Sequence, residues 1–141
     1  MYVVDASVVL KWFLQEDDSP KALDLYAKAL GDEVELAAPD ILLYEVANIL
    51  VRKRKASRGQ AENAVRLVLD SGLNVSEPDH DPLSDSIRIA AAAGLTVYDA
   101  SYVALAAQMS GTLITADLRL AELAGSLADI RLLSTCSRSS T

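Results

Sequence analysis

Four carboxylates interrupt segments that otherwise read as apolar or small: Asp5 in YVVDASVVL, Glu45 in LLYEVANIL, Asp99 in TVYDASYVALA and Asp117 in LITADLRLA. A charge beside buried surface is costly unless it is paired or bound to a cation, so four such acids in one small chain point to a shared site for a hard metal ion. The chemistry of such a site is phosphate chemistry. Carboxylate oxygens suit Mg²⁺, which keeps several waters, and a water on such an ion loses its proton more readily and can attack phosphorus. Two ions about 3.5 to 4 Å apart would clamp both the attacking and the leaving oxygen; one well-placed ion would also serve.

The elements that must position these acids alternate between short β-type runs and helical ones, the pattern of a parallel sheet with helices on both faces. Strands are expected over residues 2–4, 34–38, 73–76, 112–115 and 130–133. Helix starts are expected at Ser19-Pro20 and Asp81-Pro82, a capping residue before a first-position proline, and at Ser57 to Gln60, which has capping-box spacing. Gly31, Gly72, Gly94 and Gly111 fall where helices should stop. On this scaffold Asp5 and Asp117 lie just past the carboxyl ends of the first and fourth strands, where open parallel sheets place their ligand crevices. Asp99 is expected to open a helix whose inward stripe continues through Tyr102, Val103 and Ala106, and Glu45 shares a helix face with Leu42 and Ile49. Taken singly, Asp5, Asp99 and Asp117 read equally well as N-caps. Glu45 does not, because it lies a turn inside a helix that Pro39 or Asp40 already opens.

At 141 residues the chain is one domain's worth. It is 51% hydrophobic and 23% charged, with no apolar run long enough to cross a bilayer, so no membrane association is expected. The start lacks the basic stretch and small-residue cleavage site of a signal peptide, and cytoplasmic residence is the expectation. The lone Cys136 can form no internal disulfide and reads as incidental. A net charge of −7 argues against holding nucleic acid by bulk attraction. The basic run Arg52, Lys53, Arg54 and Lys55, with Arg58 behind it, is either a solvated helix terminus complementing the dipole or a strip that contacts RNA phosphates. His80, between two aspartates before a proline, reads as a solvated turn, Trp12 and Phe13 as core, Asp40 and Asp85 as helix acids, and Glu16, Asp17 and Asp18 as an exposed turn.

Taken together and in order, VVDASVVLKWFL, APDILLYEVANIL, TVYDASYVALA and LITADLRLA resemble the successive motifs of PIN-domain proteins, most closely the VapC toxins of toxin–antitoxin pairs. The resemblance runs from Tyr2 to about Leu133. It implies a three-layer α/β/α sandwich with a parallel sheet in strand order 3-2-1-4-5 and a PIN-like domain over residues 1–133; the Ser/Thr-rich end over 134–141 falls outside the motifs and reads as a loose tail. It also implies a Mg²⁺- or Mn²⁺-dependent endoribonuclease whose acids are Asp5, Glu45, Asp99 and Asp117, with Ser7 and Thr115 as helpers. The hydroxyls of Ser7 and Thr115 would orient a carboxylate or a water, and read as well as capping or strand-end groups. An RNA substrate, a VapB-like antitoxin and a homodimer are implied by the resemblance alone. The segment 56–81 carries none of its motifs.

Two other classes are weighed against this one. A phosphohydrolase with an aspartyl-phosphate intermediate would also put Asp5 after the first strand, but such enzymes carry a second Asp two residues on, where this chain has Ser7. A non-catalytic interaction module on the same fold would have shed some of the acids, and all four are present.

Overall fold

The central strands are short, mainly apolar runs, YVV, LAAP and TLIT, whereas the two edge strands, NVS and DIRL, mix polar and apolar residues. In the computed structural model, which describes residues 1–138, β1 (Tyr2–Val4), β2 (Leu36–Pro39), β3 (Asn74–Ser76), β4 (Thr112–Thr115) and β5 (Asp129–Leu132) form one parallel sheet in the order β3-β2-β1-β4-β5. The three central strands are apolar on both faces: Val3, Val4, Ala38 and Leu113 are fully buried, as strands covered from both sides must be. The edge strands β3 and β5 are only partly covered.

Among the described residues seven α-helices complete the layers: α1 (Ala6–Val9), α2 (Ser19–Leu30), α3 (Ile41–Arg52), α4 (Arg58–Asp70), α5 (His80–Ala93), α6 (Val97–Gln108) and α7 (Leu118–Ala124). The chain moves outward from β1 to β2 to β3, then returns across the sheet to β4 and β5. Right-handed crossovers therefore put α1 to α4 on one face and α5 to α7 on the other. The packing agrees, with α3 against α1 and α4 in one layer and α5 against α6 and α7 in the other. The direction reverses between β1 and β4, which makes the gap between their carboxyl ends the natural ligand crevice. α6 is the central helix of its layer, burying Ala100, Tyr102, Val103, Ala104, Leu105 and Ala106. Among the described residues no single helix is long and apolar enough to cross a membrane.

Helix starts depart from expectation in three places. The Ser19 hydroxyl does not cap α2; it turns back to accept from the Glu16 N–H at 2.9 Å and donate to the Leu14 carbonyl at 2.8 Å, while Asp18 takes the left-handed turn at φ 64°. α5 starts at His80, because Asp79 caps it by accepting the His80 N–H at 2.7 Å; Pro82 still sits in the first turn, where a missing N–H costs nothing. α6 starts at Val97, not at Asp99: Thr96 is the cap and accepts from the Asp99 N–H at 3.0 Å. The capping box at Ser57 and Gln60 forms as expected, and with α4 and β3 it gives the segment 56–81 its structure.

β2 runs two residues later than expected at its start, and Pro39 can close it because the next N–H, that of Asp40, carries the bond to the Ser76 carbonyl at 3.0 Å. Gly94 ends α5 at φ 71°, a conformation open to glycine, whereas after α2 it is Asp32, at φ 56°, that turns left-handed rather than Gly31. The boundary expected at residue 134 falls inside a 3₁₀ turn, Leu133–Thr135, whose Ser134 carbonyl accepts from Lys21 Nζ. The rest of the expected tail from residue 139 lies outside the described residues. Trp12 and Phe13 pack against the core as read, Trp12 with its ring 4.9 Å from Tyr26 and its indole N–H donating to the Ala22 carbonyl.

Candidate active site

All four sequence-selected acids line one pocket of about 350 Å³ over the reversal point of the sheet. β1 delivers Asp5 and β4 delivers Asp117, from adjacent strands; Glu45 arrives on α3 from one layer, and Asp99 on α6 from the other. Asp5 is buried at 6% exposure, Glu45 and Asp99 are half-buried, and Asp117 is exposed at the rim. The pocket wall also includes Ser7, Tyr102, Lys11, Glu16 and Arg54 over an apolar floor of Leu10, Leu14 and Ile49.

Asp5 is the most elaborately held of the four. Ser7 Oγ donates to its Oδ1 at 2.5 Å, Thr115 Oγ1 donates to its Oδ2, and the Val8 N–H reaches Oδ1 at 3.3 Å. Ser7 Oγ in turn accepts from the Ala116 N–H at 2.9 Å, and Thr115 Oγ1 from the Asp117 N–H at 3.0 Å. These bonds join the β1–α1 junction to the β4–α7 turn, so the two hydroxyls set the spacing of Asp5 and Asp117. The cap and site readings of these two acids are not exclusive: Asp5 caps α1, and Asp117 caps α7 through the Leu120 N–H at 3.1 Å. Asp99 is not a cap, since Thr96 does that work.

Glu45 has a partner that the sequence reading missed. Tyr102 Oη donates to Glu45 Oε1 at 2.6 Å, across the pocket from α6 to α3. Tyr102 was read as part of an apolar stripe, and it is 1% exposed, but its hydroxyl reaches the carboxylate. A buried tyrosine hydroxyl needs an acceptor, and that need was the only available signal.

The electrostatics are those of a site short of positive charge. Burial pushes the Asp5 carboxyl up to about 6 against the hydrogen bonds from Ser7, Thr115 and Val8, and the Asp117 charge adds to the rise. Burial also raises Glu45, opposed by the Tyr102 hydrogen bond and helped by Asp99. Asp99 is raised by burial and then by Asp117, with Thr96 and Arg119 pulling the other way. Burial and the facing Glu45 raise the Tyr102 phenol, which keeps it a donor.

None of the four acids forms an ion pair with a lysine or arginine among the described residues. An all-oxygen donor set that lacks a protein cation suits Mg²⁺ or Mn²⁺. Among the described residues no three acidic, histidine or cysteine side chains close on one point, which fits an ion that takes only one or two carboxylates and fills its remaining positions with water and substrate phosphate.

The other candidates separate cleanly. Of the basic strip only Arg54 lines the acid pocket; Lys55 borders a different hollow beside Arg54, and Arg58 pairs with Glu62 on α4 at 2.7 Å. Arg52 and Lys53 are exposed and line no part of the acid site. His80 is exposed and sits 3.1 Å from Asp81, outside the pocket, and Asp85 is exposed beside Arg88. Asp40 borders a separate apolar hollow near α5 and α6. Glu16 is not part of an exposed turn: it is half-buried, with Arg54 on one carboxylate oxygen and Lys11 3.9 Å from the other.

A family model of the PIN domain matches residues 2–126, and the chain belongs to the PIN-domain family. It is similar to ribonuclease VapC3 of Pyrobaculum aerophilum, with 34% identity over 124 residues that span 85% of this chain and 92% of the relative. Among solved structures, PAE2754 from Pyrobaculum aerophilum superposes with a TM-score of 0.67 at 28% identity, covering 95% of this chain and 84% of that one. A toxin–antitoxin complex from Klebsiella pneumoniae gives 0.69 at 17% identity, covering 94% and 98%, a likeness of fold.

Proposed function

We propose that this protein is a metal-dependent endoribonuclease, the toxin of a toxin–antitoxin pair, with Asp5, Glu45, Asp99 and Asp117 as its catalytic acids, one or two of them binding the ion directly and the others reaching it through its waters. The observation that carries the reading is the convergence of these acids from both helical layers into one pocket at the reversal point of the sheet. The similarity to a VapC ribonuclease supports RNA as the substrate. The fold shared with a toxin–antitoxin complex supports a small antitoxin as partner. A homodimer and cytoplasmic residence complete the reading as expectations carried by the family.

Asp5 and the neighbouring acids would hold Mg²⁺ or Mn²⁺, which would supply a Lewis acid for the phosphate and lower the pKa of an attacking water. The chain's own residues do the rest. Ser7 and Thr115 fix both oxygens of Asp5, so the carboxylate does not rotate when charge redistributes. Tyr102 pins Oε1 of Glu45. The raised proton affinities of Glu45 and Asp99 suit groups that take a proton from an attacking water.

The test is incubation of the purified protein with a panel of structured RNAs and one circular RNA, in Mg²⁺, in Mn²⁺ and in EDTA. Cleavage is expected with either metal, including linearisation of the circle, and none in EDTA. The products should carry a 5′-phosphate and a 3′-hydroxyl; a 2′,3′-cyclic phosphate would mean that the RNA 2′-hydroxyl is the nucleophile and would sink the proposed chemistry.

A further inference from the structure

The acid pocket has a second, cationic end. Lys11 follows α1 in the 3₁₀ turn Leu10–Trp12, and Arg54 lies just beyond α3, where its N–H bonds back to the Ile49 carbonyl at 3.1 Å. From Glu45 the helix α3 runs on for about 10 Å to its end at Arg52, with Ile49 between Glu45 and Arg54 on the pocket floor. Lys11 and Arg54 are the only cations among the residues lining the pocket. Both face one carboxylate: Glu16 Oε2 accepts from Arg54, and Lys11 Nζ lies 3.9 Å from Oε1. Glu16 is itself held in place, since Ser19 Oγ accepts its N–H and donates to the Leu14 carbonyl.

A carboxylate and a phosphate offer a guanidinium the same paired oxygens. A chain of net charge −7 with four acids in its site repels a polyanion, so attraction inside the pocket has to come from these two side chains and the metal. We propose that Lys11 and Arg54 hold an RNA phosphate flanking the one that is cut, and that Glu16 is an internal competitor occupying that phosphate's place until RNA displaces it. The assignment rests on the ribonuclease reading above for its substrate. It makes Lys11 and Arg54 binding residues and Glu16 a residue that tunes affinity.

The experiment compares Lys11→Gln, Arg54→Gln, Arg54→Lys, Glu16→Gln and Arg58→Gln for kcat and KM on an RNA that the parent cleaves. The same changes are made on the Asp99→Asn background and followed by fluorescence anisotropy with labelled single-stranded RNA over a range of KCl. Lys11→Gln and Arg54→Gln should each raise KM and Kd about 5- to 10-fold with kcat nearly unchanged. Each should also flatten the salt dependence of log Kd by about 0.7. Arg54→Lys should restore the salt slope but only part of the affinity, because an ammonium lacks the paired donors of the guanidinium, and Arg58→Gln should match the parent.

Glu16→Gln should tighten binding about 2- to 5-fold, the scale of an exposed ion pair. Parental KM, Kd and salt slope in the Lys11 and Arg54 variants, in proteins with parental unfolding temperatures, would overturn the phosphate assignment. Weaker or unchanged binding in Glu16→Gln would overturn the competitor role and leave Glu16 as a prop. If the parent cleaves no RNA, the ribonuclease reading fails, while the anisotropy series still decides the cation assignment.

Discussion

Tyr102 and Glu45 are joined by a 2.6 Å hydrogen bond that ties the central helix of one layer to the first long helix after β2 in the other. Both residues line the pocket, and the bond fixes one oxygen of a half-buried carboxylate. Tyr102→Phe keeps the packed ring and removes only that donor. Stability should fall by about 1.5 to 3 kcal/mol, the worth of a hydrogen bond to a charged group. The loss should be largest at neutral pH and shrink as Glu45 protonates in acid, because the hydrogen bond favours the ionised carboxylate. Cleavage should drop about 10- to 100-fold, as when a partner that orients a metal-site acid is lost. Thermal unfolding across pH and steady-state kinetics measure both, and parental activity would remove Glu45's orientation from the mechanism.

Asp99 and Thr96 allow capping and catalysis to be separated. Thr96 caps α6, so Thr96→Ala should cost about 1 kcal/mol of stability and leave cleavage close to the parent's. Asp99→Asn should do the reverse: cleavage is lost, while the metal-free protein is as stable as the parent or more so, because one of a set of mutually repelling acids is gone. Full activity in Asp99→Asn would defeat its assignment, and a large metal-free destabilisation would contradict the repulsion.

The Asp5 carboxyl, lifted to about 6 from its ordinary 3.8, sets a direction for stability against pH. A raised carboxyl favours the fold while it is protonated in the folded state. Its favourable contribution is therefore complete below about 3.8 and is lost as pH rises through about 6, beyond which the fold carries a penalty of about 3 kcal/mol. In EDTA, the stability of the parent relative to Asp5→Asn should fall as pH rises from 4 to 6 and level off above that. Ser7→Ala removes a hydrogen bond that lowers Asp5, so the carboxyl should titrate above about 6. Carboxyl carbon shifts in metal-free protein check this, and an Asp5 that titrates near its ordinary value would refute it.

Adding Mg²⁺ or Mn²⁺ should reverse that penalty. An ion at 100 times its dissociation constant should stabilise the fold by about 2.7 kcal/mol. The gain should be smaller at pH 5 than at pH 7.5, because protons compete with the metal for Asp5. Unfolding temperatures with and without metal at both pH values test it, and a metal-induced shift that ignored pH would place the ion elsewhere.

The acids were legible because each is a local anomaly, a charge set into an apolar run, and anomalies survive in one dimension. The sheet was legible for a similar reason, since its central strands are unbroken apolar runs. What the sequence hid was pairing at long range. Nothing near Tyr102 says that its hydroxyl meets a glutamate 57 residues earlier, and nothing near Glu16 says that an arginine 38 residues later will fold onto it. The misplaced start of α6 has a different cause: Thr96 and Asp99 are both good cap residues, and only the geometry decides which accepts and which donates its N–H. Of the basic strip only Arg54 lines the acid pocket, because a helix end splays successive side chains in different directions.

β1 lies at the heart of the sheet, but Asp5 at its end depends on Thr115, 110 residues away. During synthesis the first strand leaves the ribosome with neither neighbour made, and the reach to β4 is the kind of distant contact that forms late. A nascent chain that has not yet delivered β4 lacks Thr115 and Asp117, and it has no closed acid pocket. For a protein that cuts RNA this ordering is protective: the growing chain stays harmless beside the RNA-rich machine that makes it. Fragments that end before β4 lack Thr115 and Asp117 and should be inert for the same reason.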